Sequence, residues 1–182
     1  MIKTADRLFR RHGYNATSWR VLVDEAGTPW GSIGHHFPGG KEELGVAALA
    51  YGSDRAIAFL ESCFEETTSV PAGLRRWFDK NADALERTEF EFGCPIAAVA
   101  VDTSTTSPAL AAATGQAFER LVATLAARLV GGGIPRKRAN ELALLVFTSF
   151  EGALLLARTR RSAEPLRVAG KQLEALVRSA AA

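Results

Sequence analysis

Apolar positions recur three and four residues apart along almost the whole chain, and no stretch sustains the alternation of a half-buried strand. Met1, Ile2, Ala5, Leu8 and Phe9 fall on one face of a first helix. His12-Gly13 closes it, since glycine accepts the left-handed backbone of a helix end. Thr17 is placed to cap a second helix with Trp19, Leu22, Val23 and Ala26 on its apolar side, and Gly27 ends it. Pro29 suits the first turn of a third helix reaching about His36. Phe37-Pro38-Gly39-Gly40 breaks the pattern, and a long helix follows from Lys41 to about Glu65.

Pro71 opens a fifth helix with Leu74, Trp77, Phe78, Ala82 and Leu85 on one side. The segment from Phe90 to Val101 is an apolar, partly irregular joint, where Pro95 and the alanines favour a short buried helix over a strand. Further helices are expected over about 108–130, 135–159 and 163–178, with Gly131-Gly132-Gly133 ending the first of them. No internal repeat occurs. The predicted fold class is all-α: an N-terminal three-helix head, a connecting helix, and a C-terminal helical bundle. The expected domains are 1–45 and 46–182.

Composition narrows the picture. The chain has 182 residues, 47% of them hydrophobic and 23% charged, which suits a packed fold and excludes disorder. Charges at Lys3, Asp6 and Arg7 argue against a secretory signal. The most apolar stretch, Leu142 to Ala157, carries Glu151 and Gly152 and reads as too short to span a bilayer. Cys63 and Cys94 are too few for a disulfide framework. The expectation is a soluble, cytoplasmic chain with no membrane partner. The net charge of +2 is only weakly basic, but residues 1–41 hold six Lys/Arg against three acids. That excess permits a phosphate partner without demanding one.

The second and third helices are joined by the tight turn Ala26-Gly27-Thr28-Pro29. Two short helices across such a turn form a helix-turn-helix, whose second helix enters the major groove of DNA. The residues are more specific than the spacing. FRRHGYNATS (9–18), LVDEAG (22–27) and GSIGHHFPGGKEEL (31–44) resemble the DNA-binding domain of the TetR/AcrR family of transcriptional regulators. FGCPIAAVAVD (92–102) resembles the corresponding joint of the LmrA/YxaF-like branch.

This resemblance implies that residues 1–45 bind DNA and that 46–182 bind an effector and dimerise. Thr17 and Ser18, at a helix N-terminus, would donate to phosphate. Thr28, Trp30, Gly31, Ser32, His35 and His36 would line the recognition helix, and Lys41 occupies the family's phosphate-contact position. Ile33 and Phe37 would anchor that helix to the head. Three positions depart from the commoner family pattern: Thr28 replaces a small aliphatic residue, Trp30 a polar or basic one, and Gly34 an aromatic. With Gly31 and Gly34 each costing about 1 kcal/mol relative to Ala, the helix depends on packing or on DNA.

Other chemistries fit less well. Neighbouring helical residues face different ways, so His35-His36 makes a poor metal pair, and no H-E-x-x-H or paired C-x-x-C occurs. Gly39-Gly40-Lys41 lacks the earlier glycine and the following Ser/Thr of a phosphate loop. No nucleophile elbow, dinucleotide fingerprint or triad segment is present, so neither an enzyme nor a cofactor is expected. Cys63 and Cys94 read as small apolar packing residues before redox sensors. Trp77, Phe78, Phe92, Phe118, Phe147 and Phe150, with Cys94 beside Phe92, form either a plain core or the lining of an effector site.

The eighth helix is apolar on two sides. Leu142, Leu145, Val146, Ser149, Phe150, Ala153, Leu154 and Ala157 make one stripe, and Leu144, Phe147, Leu155 and Leu156 a second. Such a helix must be covered twice, which in a chain of 182 residues points to a partner subunit, and the family resemblance implies a homodimer through the last two helices. The expected function is a homodimeric repressor. It would bind an inverted-repeat operator in double-stranded DNA and be released by an apolar, ring-containing effector. The competing expectation is a small-molecule-binding helical dimer that has lost operator recognition.

Overall fold

The structure is a computed structural model and describes residues 1–181, the side chain of Ser32 excepted. Its elements are α1 (Ile2–His12), α2 (Trp19–Ala26), a 3₁₀ turn (Trp30–Ser32), α3 (Ile33–His36), α4 (Gly40–Glu65), α5 (Val70–Arg87), α6 (Pro95–Thr103), α7 (Pro108–Gly131), α8 (Arg136–Arg160) and α9 (Glu164–Ala180). Among the described residues there is no strand. The chain divides into two compact units, Met1–Arg55 with Gly93–Phe118, and Ala56–Phe92 with Glu119–Ala182. The division falls inside α4 and again inside α7, and α6 groups with the amino-terminal helices.

In the first unit, Ala5, Leu8 and Phe9 of α1, Leu22 and Val23 of α2, Leu44, Ala48 and Leu49 of α4, and Ile96 and Val99 of α6 are buried. The helix-turn-helix bends at Gly27, whose left-handed backbone (φ 60°, ψ 33°) few other residues adopt without strain. There the Gly27 and Thr28 amides donate to the carbonyls of Asp24 and Val23, closing the last turn of α2.

Two local expectations need correction. The cap of α2 is Ser18, whose hydroxyl accepts from the Val21 amide at 3.3 Å, and not Thr17. Thr17 is buried, and its hydroxyl donates to the Gly13 carbonyl at 2.7 Å, so it ties the end of α1 instead. The third helix is also shorter than expected: a 3₁₀ turn and four α-helical residues, preceded by Pro29. No residue of α3 is buried, and Ile33 and Phe37 are only half-buried. With glycine at 31 and 34, so few anchors stabilise no more than a short helix.

In the second unit, α9 packs against α5 and α8. Arg167 of α9 ties to α5 through Asp83 and Glu86, both at 2.9 Å. Helix α8 buries Leu142, Ala143, Val146, Phe147, Phe150, Ala153 and Ala157, while Leu144, Leu145, Leu155 and Leu156 stay exposed. Its 25 residues are enough, by length and composition, to cross a membrane. The expected shortness therefore fails. The helix runs on past Ala157 to Arg160, and Arg161 then turns the chain in a left-handed conformation at φ 48°.

Candidate functional site

The described side chains of the turn-and-helix segment 30–36 are exposed, apart from the half-buried Ile33. Trp30 is 57% exposed, and Gly31, His35 and His36 are exposed as well. The two imidazoles meet edge to face at 5.1 Å. An added Cβ at Gly31 or Gly34 would meet nothing within 4 Å, so the surface over α3 is open. Ser32 sits in the 3₁₀ turn, but its side chain lies outside the described residues. Thr28 turns the other way: its hydroxyl oxygen is buried and has no hydrogen-bond partner.

Ser18 is exposed at the start of α2, with its hydroxyl proton free to donate while its oxygen caps the helix. Arg20 in the first turn of α2 is exposed too. Sequence reasoning passed over it, although a cation beside a helix N-terminus was legible. Lys41, at the start of α4, is half-buried. Its ammonium donates to the Tyr14 carbonyl at 2.7 Å and stands 4.1 Å above the Tyr14 ring. Burial pushes its pKa below the ordinary lysine value, and the Asp102 carboxylate opposes that shift.

The turn that holds Lys41 is itself held from α6. The Asn15 amide donates to Asp102 Oδ2 at 2.8 Å, and Asn15 Nδ2 donates to the Asp102 carbonyl at 3.3 Å. Gly13 (φ 84°) lets this approach happen, since a Cβ there would lie 3.0 Å from Asp102 Oδ2. At the other end of α6, the Gly93 amide donates to the Arg10 carbonyl at 2.9 Å, and Arg10 Nε donates back to the Gly93 carbonyl at 3.2 Å. Ser107, just before α7, donates to Glu42 Oε2 at 2.6 Å. The exposed head is thus braced within its own unit at three points by residues 93–107.

The aromatics proposed for an effector separate into two groups. Trp77, Phe78, Phe147 and Phe150 come together in the second unit. Trp77 stacks on Phe150 at 4.4 Å and meets Phe78 at 5.1 Å and Phe147 at 5.4 Å. Phe78 meets Phe150 edge to face at 5.7 Å. All four are buried. The half-buried Phe92 belongs to the same unit, whereas Cys94 and Phe118 belong to the first. Cys94 caps α6, its sulfur accepting from the Ala97 amide at 3.5 Å. Cys63 is buried, and burial pushes its thiol pKa up, away from the reactive thiolate. Among the described residues no three His, Cys, Asp or Glu side chains gather to hold a metal.

Comparison with known proteins gives this arrangement a context. Residues 1–48 match the family model described as bacterial regulatory proteins, tetR family. Residues 71–172 match the C-terminal domain described as transcriptional regulator LmrA/YxaF-like. The chain is 31% identical over 178 residues to the HTH-type transcriptional regulator YxaF of Bacillus subtilis, covering 98% of this chain and 93% of that one. It is 36% identical over 183 residues to the HTH-type transcriptional regulator Rv0196 of Mycobacterium tuberculosis, covering 97% and 92%. A TetR transcriptional regulator of Legionella pneumophila shares the fold, with a TM-score of 0.85 at 24% identity over 96% of this chain and 94% of that one.

Proposed function

Because this chain belongs to the TetR family of bacterial transcriptional regulators, in its LmrA/YxaF branch, we propose that it is a homodimeric repressor released from an inverted-repeat operator by a small apolar molecule. The observation that carries the reading is the open surface over 30–36, in the same compact unit as the exposed Ser18 and the half-buried Lys41. Residues 1–45 bind DNA in this reading, and 46–182 bind the effector and pair the subunits. Trp30, Gly31, His35 and His36 face the groove, and the turn that carries them includes Ser32, whose side chain lies outside the described residues. Ser18, Lys41 and Arg20 contact phosphate, which fixes register without reading sequence. Thr17 and Thr28 support the turns from inside. The partner DNA puts the protein in the cytoplasm.

Pairing uses the exposed leucines of α8 together with α9. The Trp77, Phe78, Phe147 and Phe150 cluster supports a ring-containing effector, because a planar apolar molecule replaces the stacking it disrupts. The rings already touch one another, so entry requires that cluster to open. Binding then favours a state of lower operator affinity, a coupling that typically spans about 1–3 kcal/mol.

Selection of duplexes from a random library tests the operator reading. The expected product is an inverted repeat whose half-sites lie on one face of the DNA, with affinity falling steeply as salt rises. Binding indifferent to sequence overturns it in favour of a dimer that senses small molecules without an operator. Titration with aromatic apolar compounds is expected to change Trp77 fluorescence and release the selected duplex.

A further inference from the structure

Lys41 is the basic side chain at the start of α4, and its position depends on residues far from it in sequence. Its ammonium is held by the carbonyl and the ring of Tyr14. Tyr14 lies in the turn after α1, between Gly13 and Asn15. That turn has no helix of its own to set its geometry. It is closed locally by the Thr17 amide on the Tyr14 carbonyl at 3.2 Å and the Thr17 hydroxyl on the Gly13 carbonyl, and it is tied to α6 by Asp102, which receives the Asn15 amide on its carboxylate and the Asn15 side chain on its carbonyl. All of these residues belong to one compact unit.

We propose that Asp102 is a positioning residue for DNA binding: it fixes the Gly13–Asn15 turn, so that Tyr14 holds the Lys41 ammonium where a phosphate can be met. Asp102 touches no DNA in this account. A carboxylate accepting a backbone amide makes one of the stronger hydrogen bonds available to a surface turn. Without it the turn loses its tie to α6 and keeps only its local bonds through Thr17. The Asn15 side of the turn is then free to shift, the Tyr14 carbonyl is directed by the Thr17 amide alone, and Lys41 samples more rotamers, whose ordering binding must pay for again. The conformation of α6 thereby controls one phosphate contact of the head. This inference rests on the reading of the protein as an operator-binding regulator.

The test is a double-mutant cycle on the intact protein, with the duplex selected by the wild type. Asp102→Ala is expected to weaken binding to every sequence roughly tenfold, the worth of one hydrogen bond to a charged group. It should also lower the magnitude of the salt slope by about 1, the signature of one lost phosphate contact. Lys41→Ala should do the same, and the double variant should be no worse than either single one. Asp102→Asn keeps an acceptor oxygen for the Asn15 amide and is expected to restore affinity and slope. If Asp102→Ala changes affinity but not the slope, or if the two losses add, Asp102 has only a structural role and the proposal falls. If the Asp102→Ala head misfolds, the decision passes to Asn15→Pro, which removes the donated amide, alone and combined with Lys41→Ala: the slope should fall by about 1 in the first and no further in the second. An unchanged slope in Asn15→Pro also overturns the proposal. A wild type that binds all sequences alike defeats the operator reading itself, whereas an operator-binding wild type with an indifferent Asp102 defeats only this inference.

Discussion

The exposed leucines of α8 make a test that separates pairing from folding. Leu144, Leu145, Leu155 and Leu156 are 57%, 43%, 62% and 53% exposed, on turns that repeat along one side of the helix. Gly152 lies among them, and a Cβ there would meet nothing within 4 Å, so a second helix can come close at that point. Leu156→Glu is the perturbation of choice, because within one chain half of the side chain already faces solvent. In that chain the change should cost no more than about 0.5 kcal/mol. Covering the exposed half of a leucine gives about 1 kcal/mol, half the worth of fully burying one. A carboxylate at a dry contact loses that and adds at least about 2 kcal/mol for an unpaired polar group. Two copies meet in a two-fold dimer, so the total is about 6 kcal/mol, roughly four decades in the dimer dissociation constant. Sedimentation over micromolar concentrations, with circular dichroism beside it, reads both quantities. The expected result is a fully helical monomer. A variant that sediments as the wild-type dimer shows that the leucine face is not the pairing surface. A variant that loses helix shows that the face supports the chain's own fold.

Two further outcomes follow from buried polar atoms in the head. Thr28→Val removes a buried hydroxyl that has no partner, and should raise stability by about 1 kcal/mol in a urea melt; a loss of stability would mean that the hydroxyl is satisfied in solution. Asp6 is buried, and burial raises its pKa, with Arg10 and Arg55 pulling the other way. Its folded state therefore holds the proton more tightly than its unfolded one. The stabilisation it contributes is complete below its ordinary value of 3.8 and is lost as pH rises through the folded pKa. Asp6→Asn should flatten that part of the pH–stability curve, and a wild-type-minus-variant difference that is constant with pH contradicts the assignment.

What the sequence revealed, and what it hid, divides along the range of the interactions involved. Helical period, prolines at helix starts and glycines at helix ends are local signals, and the long helices appear within a residue or two of where they place them. The helix-turn-helix bend was legible because Gly27 is the residue its backbone requires. Thr17 and Ser18 show the limit of such signals: both are good caps, and only the burial of Thr17 against Gly13 decides that Ser18 caps the helix. The shortness of α3 is of the same kind, since Ile33 and Phe37 have the right spacing for anchors but find too little to bury against.

The brace on Lys41 was not legible at all. Asp102 lies 87 residues from Asn15, and in the sequence it is one acid at the end of an apolar segment. What makes it matter is a backbone amide in a turn, a group that every residue but proline carries and that no motif marks. The two stripes of α8 lie between these cases. Periodicity shows that the helix is apolar on two sides, yet it cannot say which side the chain covers for itself. The structure covers Leu142, Val146, Phe150 and Ala157, together with Phe147 from the other stripe, and leaves Leu144, Leu155 and Leu156 in the open. A surface that a single chain builds and does not use costs solubility, and in this fold the simplest partner with a matching face is a second copy of the same helix.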